Sequence, residues 1–256
     1  MSASGRSRFR SFVVIPARLA STRLPRKLLL RETGKSLIQH TYEAALCARM
    51  PAGVCVAADH EEIAAEVRRF GGNVELTDPD AASGTDRVAE LARKFSDTEV
   101  LVNVQGDEPE ISGDSIDLAI QLLADDPQAV MSTLAAPIAS RQQLDDPACV
   151  KVVFDALGHA LYFSRSPIPH AREWDPSLVS DEPAHFYQHI GLYAYRRDFL
   201  FKFTQLPRSD LECLENLEQL RVLSAGYQIS VGVVEQATIG IDTAEDYREF
   251  VRRTRS

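Results

Sequence analysis

Phe12-Val-Val-Ile-Pro-Ala-Arg-Leu-Ala-Ser-Thr-Arg-Leu-Pro-Arg-Lys-Leu28 joins a short β-branched run to a cationic loop, and its reading decides the fold. Residues 12 to 16 read as a buried strand. Arg18, Arg23, Arg26 and Lys27 then fall within ten residues, in a chain whose formal net charge is −9. An amphipathic helix follows, so the loop is expected at the carboxyl end of a strand, where α/β sheets bind ligands. Clustered cations there, on an acidic protein, point to a strongly anionic small molecule such as a nucleoside triphosphate.

Working outward, the pattern alternates. Ser36 to Met50 reads as a helix with Ser36 as its cap, Val54 to Ala58 as strand, Glu61 to Phe70 as helix closed by Gly71-Gly72, and Val74 to Thr77 as strand. Thr85 to Phe95 (helix), Val100 to Val104 (strand) and Ser115 to Leu123 (helix) continue the series. Such βαβ alternation implies a mostly parallel sheet flanked by helices. After about residue 130 the texture changes. Val130 to Ala135 is strand-like, Val150 to Asp155 and His159 to Phe163 form a hairpin around Ala156-Leu-Gly, and residues 164 to 187 are Pro-rich and irregular. Gln188 to Tyr195 reads as strand, Leu211 to Leu223 as helix, Ile229 to Val234 as a late strand, and a last helix starts at Thr243 with Asp246 completing a capping box. The expected organisation is a disordered lead-in over residues 1–11 and a single domain over 12–256. Within that domain, about 130–225 supplies a substrate lobe or dimer arm.

Composition narrows the partners. An acidic balance disfavours nucleic acid and anionic membrane surfaces as main partners. Cys47, Cys55, Cys149 and Cys213 make no Cys-x-x-Cys pair, so neither a disulfide framework nor a structural zinc site is expected. Arg6, Arg8 and Arg10 precede an apolar run of about four residues before Pro16, too short for a signal-peptide core or a membrane span, which reads as a cytoplasmic protein.

Among the motifs, Gly34-Lys35-Ser36 mimics the end of a P-loop, but Leu29 stands where the first glycine is required, and no Gly-x-Gly-x-x-Gly occurs. Asn103-Val-Gln-Gly-Asp-Glu-Pro109 ends a strand in carboxylates at the same sheet edge as the cationic loop. Carboxylates there suit Mg²⁺, which takes one or two protein carboxylates plus substrate phosphates. An acidic turn after a buried strand is the plain alternative. Asp242 precedes a helix, where an acidic residue commonly serves only the helix dipole. Ser83-Gly-Thr-Asp-Arg87 is either a cap or a base or ribose contact. Alternation puts His189, Tyr193 and Tyr195 on one strand face, opposite Gln188 and Ile190. Glu212, Glu215 and Glu218, beside Arg221, read as a solvated helix face.

Val-Ile-Pro-Ala-Arg-Leu-Ala-Ser-Thr-Arg-Leu-Pro (14–25), Ser-Gly-Thr-Asp-Arg (83–87), Asn-Val-Gln-Gly-Asp-Glu-Pro (103–109), Tyr-Phe-Ser-Arg (162–165), His-Ile-Gly-Leu-Tyr-Ala-Tyr-Arg (189–196), Leu-Glu-Gln-Leu-Arg (217–221) and Gly-Ile-Asp-Thr (240–243) stand in that order. Together they resemble the 3-deoxy-manno-octulosonate cytidylyltransferase (CMP-Kdo synthetase) family from about residue 12 onward. The resemblance implies a Rossmann-like nucleotidyltransferase sheet with a smaller mixed α/β sugar-binding and dimerisation lobe. It also implies transfer of CMP from CTP to Kdo, with release of pyrophosphate, for lipopolysaccharide synthesis, by a homodimer. Arg18 and Lys27 would bind the triphosphate, with Ala17 and Arg23 nearby, and Asp107 and Asp242 would hold Mg²⁺. Ser83, Arg87 and Gln105 would stand near the nucleotide, and Gln105 again, with Arg165, His189, Tyr193 and Glu218, would line the acid-sugar site. The planar fork of Arg165 suits a carboxylate. A related acceptor such as 8-amino-Kdo or sialic acid, or a sensor that binds without turnover, are the competing readings. This chain departs from the family's Gly-Lys-Pro at Arg26-Lys27-Leu28, which leaves the loop's path open and adds Arg26 as a candidate phosphate contact.

Overall fold

In the computed structural model, which describes residues 9–255 apart from position 82, strand and helix alternate around one sheet. The strands are β1 (Ser11–Ala17), β2 (Val54–Ala58), β3 (Val74–Leu76), β4 (Val100–Asn103), β5 (Ala129–Pro137), β6 (Lys151–Phe154), β7 (Ala160–Ser164), β8 (Tyr187–Arg196) and β9 (Gln228–Val233). The sheet runs β3-β2-β1-β4-β8-β5-β9, with the β6–β7 hairpin attached to β8. Pairs β3–β2, β2–β1, β1–β4 and β5–β9 are parallel, and β8 alone on this path lies antiparallel to both neighbours.

Two layers of helix cover the sheet because alternate side chains of β1 face opposite ways. Val13 and Ile15 meet α1 (Leu37–Ala45), α2 (Glu61–Arg69), α4 (Gly113–Asp125) and α9 (Ala244–Arg255) in one core. Val14 meets α3 (Gly84–Lys94), α6 (Arg197–Phe203) and α8 (Gln219–Ser224) in the other. A third, small cluster of Ile138, Leu144, Cys149 and Phe186, including α5 (Arg141–Asp145), supports the lobe. No helix among the described residues is long and apolar enough to cross a membrane.

Three expectations are corrected. Positions 1–8 of the lead-in lie outside the described residues, but Phe9 packs against the first core and Ser11 already begins β1. The Arg10 carbonyl accepts from the amides of Glu99 and Val100, which extends the ladder by backbone bonding that apolar patterning does not register. The helix expected over 211–223 is two, α7 (Asp210–Glu215) and α8, separated at Asn216, whose φ of +52° is a left-handed turn that asparagine tolerates. That break turns the three glutamates inward. Glu212 is buried against Arg221 (2.5 and 2.8 Å), Glu215 accepts from Ser164, and Glu218 accepts from the Thr85 hydroxyl. Third, Ser36 occupies the N-cap of α1 without a side-chain capping bond.

Between Thr133 and Leu134 the pairing of β5 with β8 slips: Thr133 faces Tyr193 but Leu134 faces Ile190. Thr133 Oγ1 fills the irregularity, lying 2.9 Å from His189 Nε2 and from the carbonyls of Ile190 and Leu192. Bulges of this kind re-aim side chains beside sites.

Candidate active site

β1 and β4 end side by side, and their following loops form one wall each of a cavity of about 540 Å³. Gly106 permits this closeness, since a Cβ there would stand 3.0 Å from the Pro16 carbonyl oxygen. The Thr41 hydroxyl of α1 also donates to the Gly106 carbonyl at 2.9 Å, pinning the turn from below.

Lys27 is the centre of the cavity. Its Nζ donates to Asp107 Oδ2 at 2.5 Å, to Asp242 Oδ1 at 3.0 Å and to the Ile241 carbonyl at 2.9 Å. Burial alone would lower its pKa, but the Asp107 and Asp242 carboxylates reverse that and hold it above 10.5. Arg23 Nη2 reaches the same Asp242 oxygen at 2.9 Å. The Ile241 amide donates to the Asp107 carbonyl at 2.9 Å, so the two carboxylate-bearing loops are tied by backbone as well. The dipole role first open to Asp242 belongs to Asp246, whose Oδ2 accepts from the amides of Asp242 (3.1 Å) and Thr243 (2.8 Å). Asp242 is thereby left to face the cations.

Of the residues singled out in the sequence, Arg18, Arg23, Lys27, Ser83, Gln105, Asp107 and Asp242 line this cavity together. Ala17 is the buried last residue of β1, between lining residues Pro16 and Arg18. Ser83 caps α3 by accepting from the Asp86 amide at 3.2 Å, and its hydroxyl donates to Asp86 Oδ2 at 2.8 Å. Arg87 does not reach the cavity. It is buried and donates to Thr77 Oγ1 (2.9 Å) and to the carbonyls of Asp78 (2.6 Å) and Pro79 (3.1 Å), bracing the loop after β3. Lys35 of the P-loop mimic pairs with Glu43 on α1.

Arg26 resolves the departure at the loop. Its φ of +57° is left-handed, the conformation that suits glycine, and its guanidinium pairs with Glu62 of α2 instead of facing the cavity. Left-handed strain in a non-glycine residue costs about 1–2 kcal/mol. Replacing it with glycine relieves that strain but adds about 0.5–1 kcal/mol of chain entropy and removes an exposed ion pair worth about 0–1 kcal/mol. These terms nearly cancel. Arg26→Gly is therefore expected to leave Tm within about 3 °C of the parent and CTP affinity unchanged. A clear loss of CTP affinity in calorimetry would make Arg26 a phosphate ligand.

Ser83 also lines a second cavity of about 580 Å³, with Glu218, Arg208, Glu212 and Arg221 around it. Burial raises the Glu218 carboxyl above its ordinary value, opposed by the Thr85 hydroxyl 2.7 Å away and by Arg221. His189 and Tyr193 line neither cavity; their rings lie tilted to one another, centroids 5.4 Å apart, on β8. Burial pushes His189 down to about 3, so the imidazole is neutral near pH 7, and burial raises Tyr193, which stays a phenol. Gln105 connects the regions, its Nε2 donating to the Gly191 carbonyl of β8 at 3.4 Å. Arg165 sits at the end of β7 and donates to the carbonyls of Glu215 (2.8 Å), Pro147 (3.0 Å) and Asn216 (3.5 Å).

Sequence reading missed Lys151 and, for Glu108, named the carboxylate but not its burial. Lys151 is a cation inside the apolar run Val150-Lys-Val-Val-Phe154, which was the available signal. Glu108 is buried beside Asp107, and both that burial and the neighbouring carboxylate raise its pKa to about 8.

The family model for cytidylyltransferases matches residues 12–229. A 3-deoxy-manno-octulosonate cytidylyltransferase of Rhodopirellula baltica is 50% identical over 245 residues, covering 95% of this chain and 98% of that one. The enzyme of the same name from Geobacter sulfurreducens is 46% identical over 245 residues, covering 94% and 97%. A solved CMP:2-keto-3-deoxy-manno-octonic acid synthetase, complexed with CTP, superposes with a TM-score of 0.89 at 40% identity, covering 96% of this chain and 98% of that one. A 4-diphosphocytidyl-2C-methyl-D-erythritol synthase from Anaerococcus prevotii, at 11% identity, 97% and 99% coverage and a TM-score of 0.63, shares the fold. With a family model over residues 12–229, relatives 46–50% identical along nearly the whole chain and a solved synthetase sharing the fold, the chain belongs to the 3-deoxy-manno-octulosonate cytidylyltransferase family.

Proposed function

We propose that this protein transfers CMP from CTP to the anomeric hydroxyl of 3-deoxy-manno-octulosonate, releasing pyrophosphate. The observation that carries the reading is Lys27 held between Asp107 and Asp242, 2.5 and 3.0 Å away, in a cavity it shares with Arg18 and Arg23. That set joins three cations with two carboxylates at the carboxyl ends of parallel strands. It matches a triphosphate that arrives with a divalent metal.

The donor set fits Mg²⁺. Both carboxylates reach one ammonium, so they stand close enough to share a cation, and oxygen ligands from two carboxylates plus phosphates are what Mg²⁺ takes. When bound by Asp107 and Asp242, the metal supplies neutralisation of charge on the phosphate oxygens. The chain's own residues do the rest. Arg18, Arg23 and Lys27 face the outer phosphates, where negative charge grows as the bond between the α-phosphorus and the bridging oxygen breaks. The new bond joins the anomeric oxygen to the α-phosphorus, and the hydroxyl proton leaves to solvent. Gln105 in the first cavity and Glu218 in the second offer hydrogen bonds for sugar hydroxyls, while His189 and Tyr193, which line neither, are placed there by the family resemblance alone. Arg165 supplies the cation for the sugar carboxylate, a role that His189, held neutral, does not fill.

The test is a pyrophosphate-release assay with CTP, Mg²⁺ and Kdo, with products identified by mass spectrometry and ATP, GTP and UTP as controls. CMP-Kdo formed only with CTP and metal is expected. Product with 8-amino-Kdo or sialic acid but not Kdo would move the acceptor, and silence with every acceptor despite tight nucleotide binding would leave a sensor.

We further propose a cytoplasmic homodimer built through the lobe. Leu157 and Leu161 on the β6–β7 hairpin and Leu214 on α7 are exposed apolar side chains in that region, and Trp174 stands near them in sequence order. Light scattering is expected to give twice the 28.4 kDa chain mass. A mass of one chain would overturn the assembly.

A further inference from the structure

Lys151 has no exposed surface, yet the hydrogen bonds of its ammonium all go to backbone carbonyls: Asp146 (2.9 Å), Cys149 (2.6 Å) and Arg165 (2.5 Å). An ammonium has three N–H donors, so the set is saturated. Burying a cation is costly, and burial lowers the pKa of this one. An apolar side chain would serve strand β6 better. The three carbonyls are therefore what this lysine is for.

One of them belongs to Arg165, and the opposite side of that residue is held by the opposite charge. Glu215, at the end of α7, accepts from the Arg165 amide on Oε2 at 2.9 Å and from the Ser164 hydroxyl on Oε1 at 2.6 Å. Arg165 thus has an anion on its N–H and a cation on its C=O. Pro147, one of the carbonyls on which its guanidinium rests, lies in the 146–149 loop whose two ends Lys151 anchors. The adjoining Val150 carbonyl, just before β6, accepts from the His189 amide at 2.8 Å, so the backbone next to Lys151 also meets the start of the His189–Tyr193 segment.

The geometry points to Lys151 and Glu215 as positioning residues, a bracket of opposite charges across the backbone of Arg165 that sets where its guanidinium meets the acceptor's carboxylate. This rests on Arg165 being the acid-sugar ligand. Displacement of such a group by about 1 Å costs up to about a hundredfold in rate.

Lys151→Met and Glu215→Gln test the bracket in the full chain, with two readouts. In steady-state kinetics the acceptor KM is expected to rise roughly ten- to a hundredfold in both variants while the CTP KM stays within about twofold. In hydrogen–deuterium exchange, protection of the amides around Arg165 is expected to fall. Should Lys151→Met fail to fold, Glu215→Gln, which keeps one acceptor oxygen, carries both readouts. Unchanged exchange at Arg165 in a folded variant, or KM values for acceptor and CTP rising together, would overturn the bracket. Arg165→Lys separates the two ideas: an unchanged acceptor KM there would remove the ligand role of Arg165, while the exchange data would still report whether the bracket holds its backbone.

Discussion

Asp107→Asn is expected to lower kcat by roughly 10³, the loss typical of removing one group that stabilises transition-state charge, in a chain that stays folded. The substitution preserves shape and deletes charge. The fold survives because the Asp107 carbonyl, which accepts from Ile241, is untouched, and Lys27 keeps Asp242 and the Ile241 carbonyl as partners. A hydrogen bond between charged groups contributes about 1.5–3 kcal/mol, less than the usual 5–15 kcal/mol total of a domain. Turnover measured across a Mg²⁺ titration, beside a thermal melt, checks both halves. Full activity in the asparagine variant would end the assignment of Asp107 as a metal ligand.

Lys27→Met is expected to move two measurements in opposite directions. The kcat/KM for CTP falls by roughly 10²–10³, since one preorganised cation is lost from the leaving group. Mg²⁺ binding measured by calorimetry without nucleotide becomes tighter, because the ammonium no longer competes for Asp107 and Asp242. A purely structural lysine would weaken both. The pH dependence has a definite sign. The folded pKa of Lys27 is raised above 10.5, so the stability its ion pairs contribute is complete below that pH and is lost as pH rises through the folded value. Lys27→Met is expected to remove that alkaline loss.

How much of this was readable before the structure depends on what each residue bonds to. β2 was legible to its ends because Val54-Cys-Val-Ala-Ala58 is buried on both faces, and an apolar run between polar turns has few other uses. Lys27 and Asp107 stood out as charged side chains at strand ends, whereas Asp242 by itself read as serving the helix dipole and only the family resemblance brought it beside them. Arg87, placed near the nucleotide by the resemblance, lies outside the cavity lining, and its partners include the backbone carbonyls of Asp78 and Pro79, which any residue carries. Lys151 was missed on the same ground. The glutamates of 212–218 fit a single solvated helix face in periodicity, and only the left-handed turn at Asn216 reveals that no continuous face exists. Short α6 escaped notice because its Phe199, Leu200 and Phe203 continue the apolar texture of β8 without a break.

The tie between Lys27 and Asp242 has a meaning in time as well as in space. The two residues are separated by 215 positions, and Lys27 and Asp107 by 80. Translation proceeds at roughly 5–20 residues per second, so about 10–40 s separate the making of Lys27 from that of Asp242. During that interval the parallel core around β1, β2 and β4 is available to form, but Lys27 lacks one of its two carboxylates. The Lys27–Asp242 tie can therefore form only late in synthesis, and it closes the longer of the two loops at the larger entropic cost.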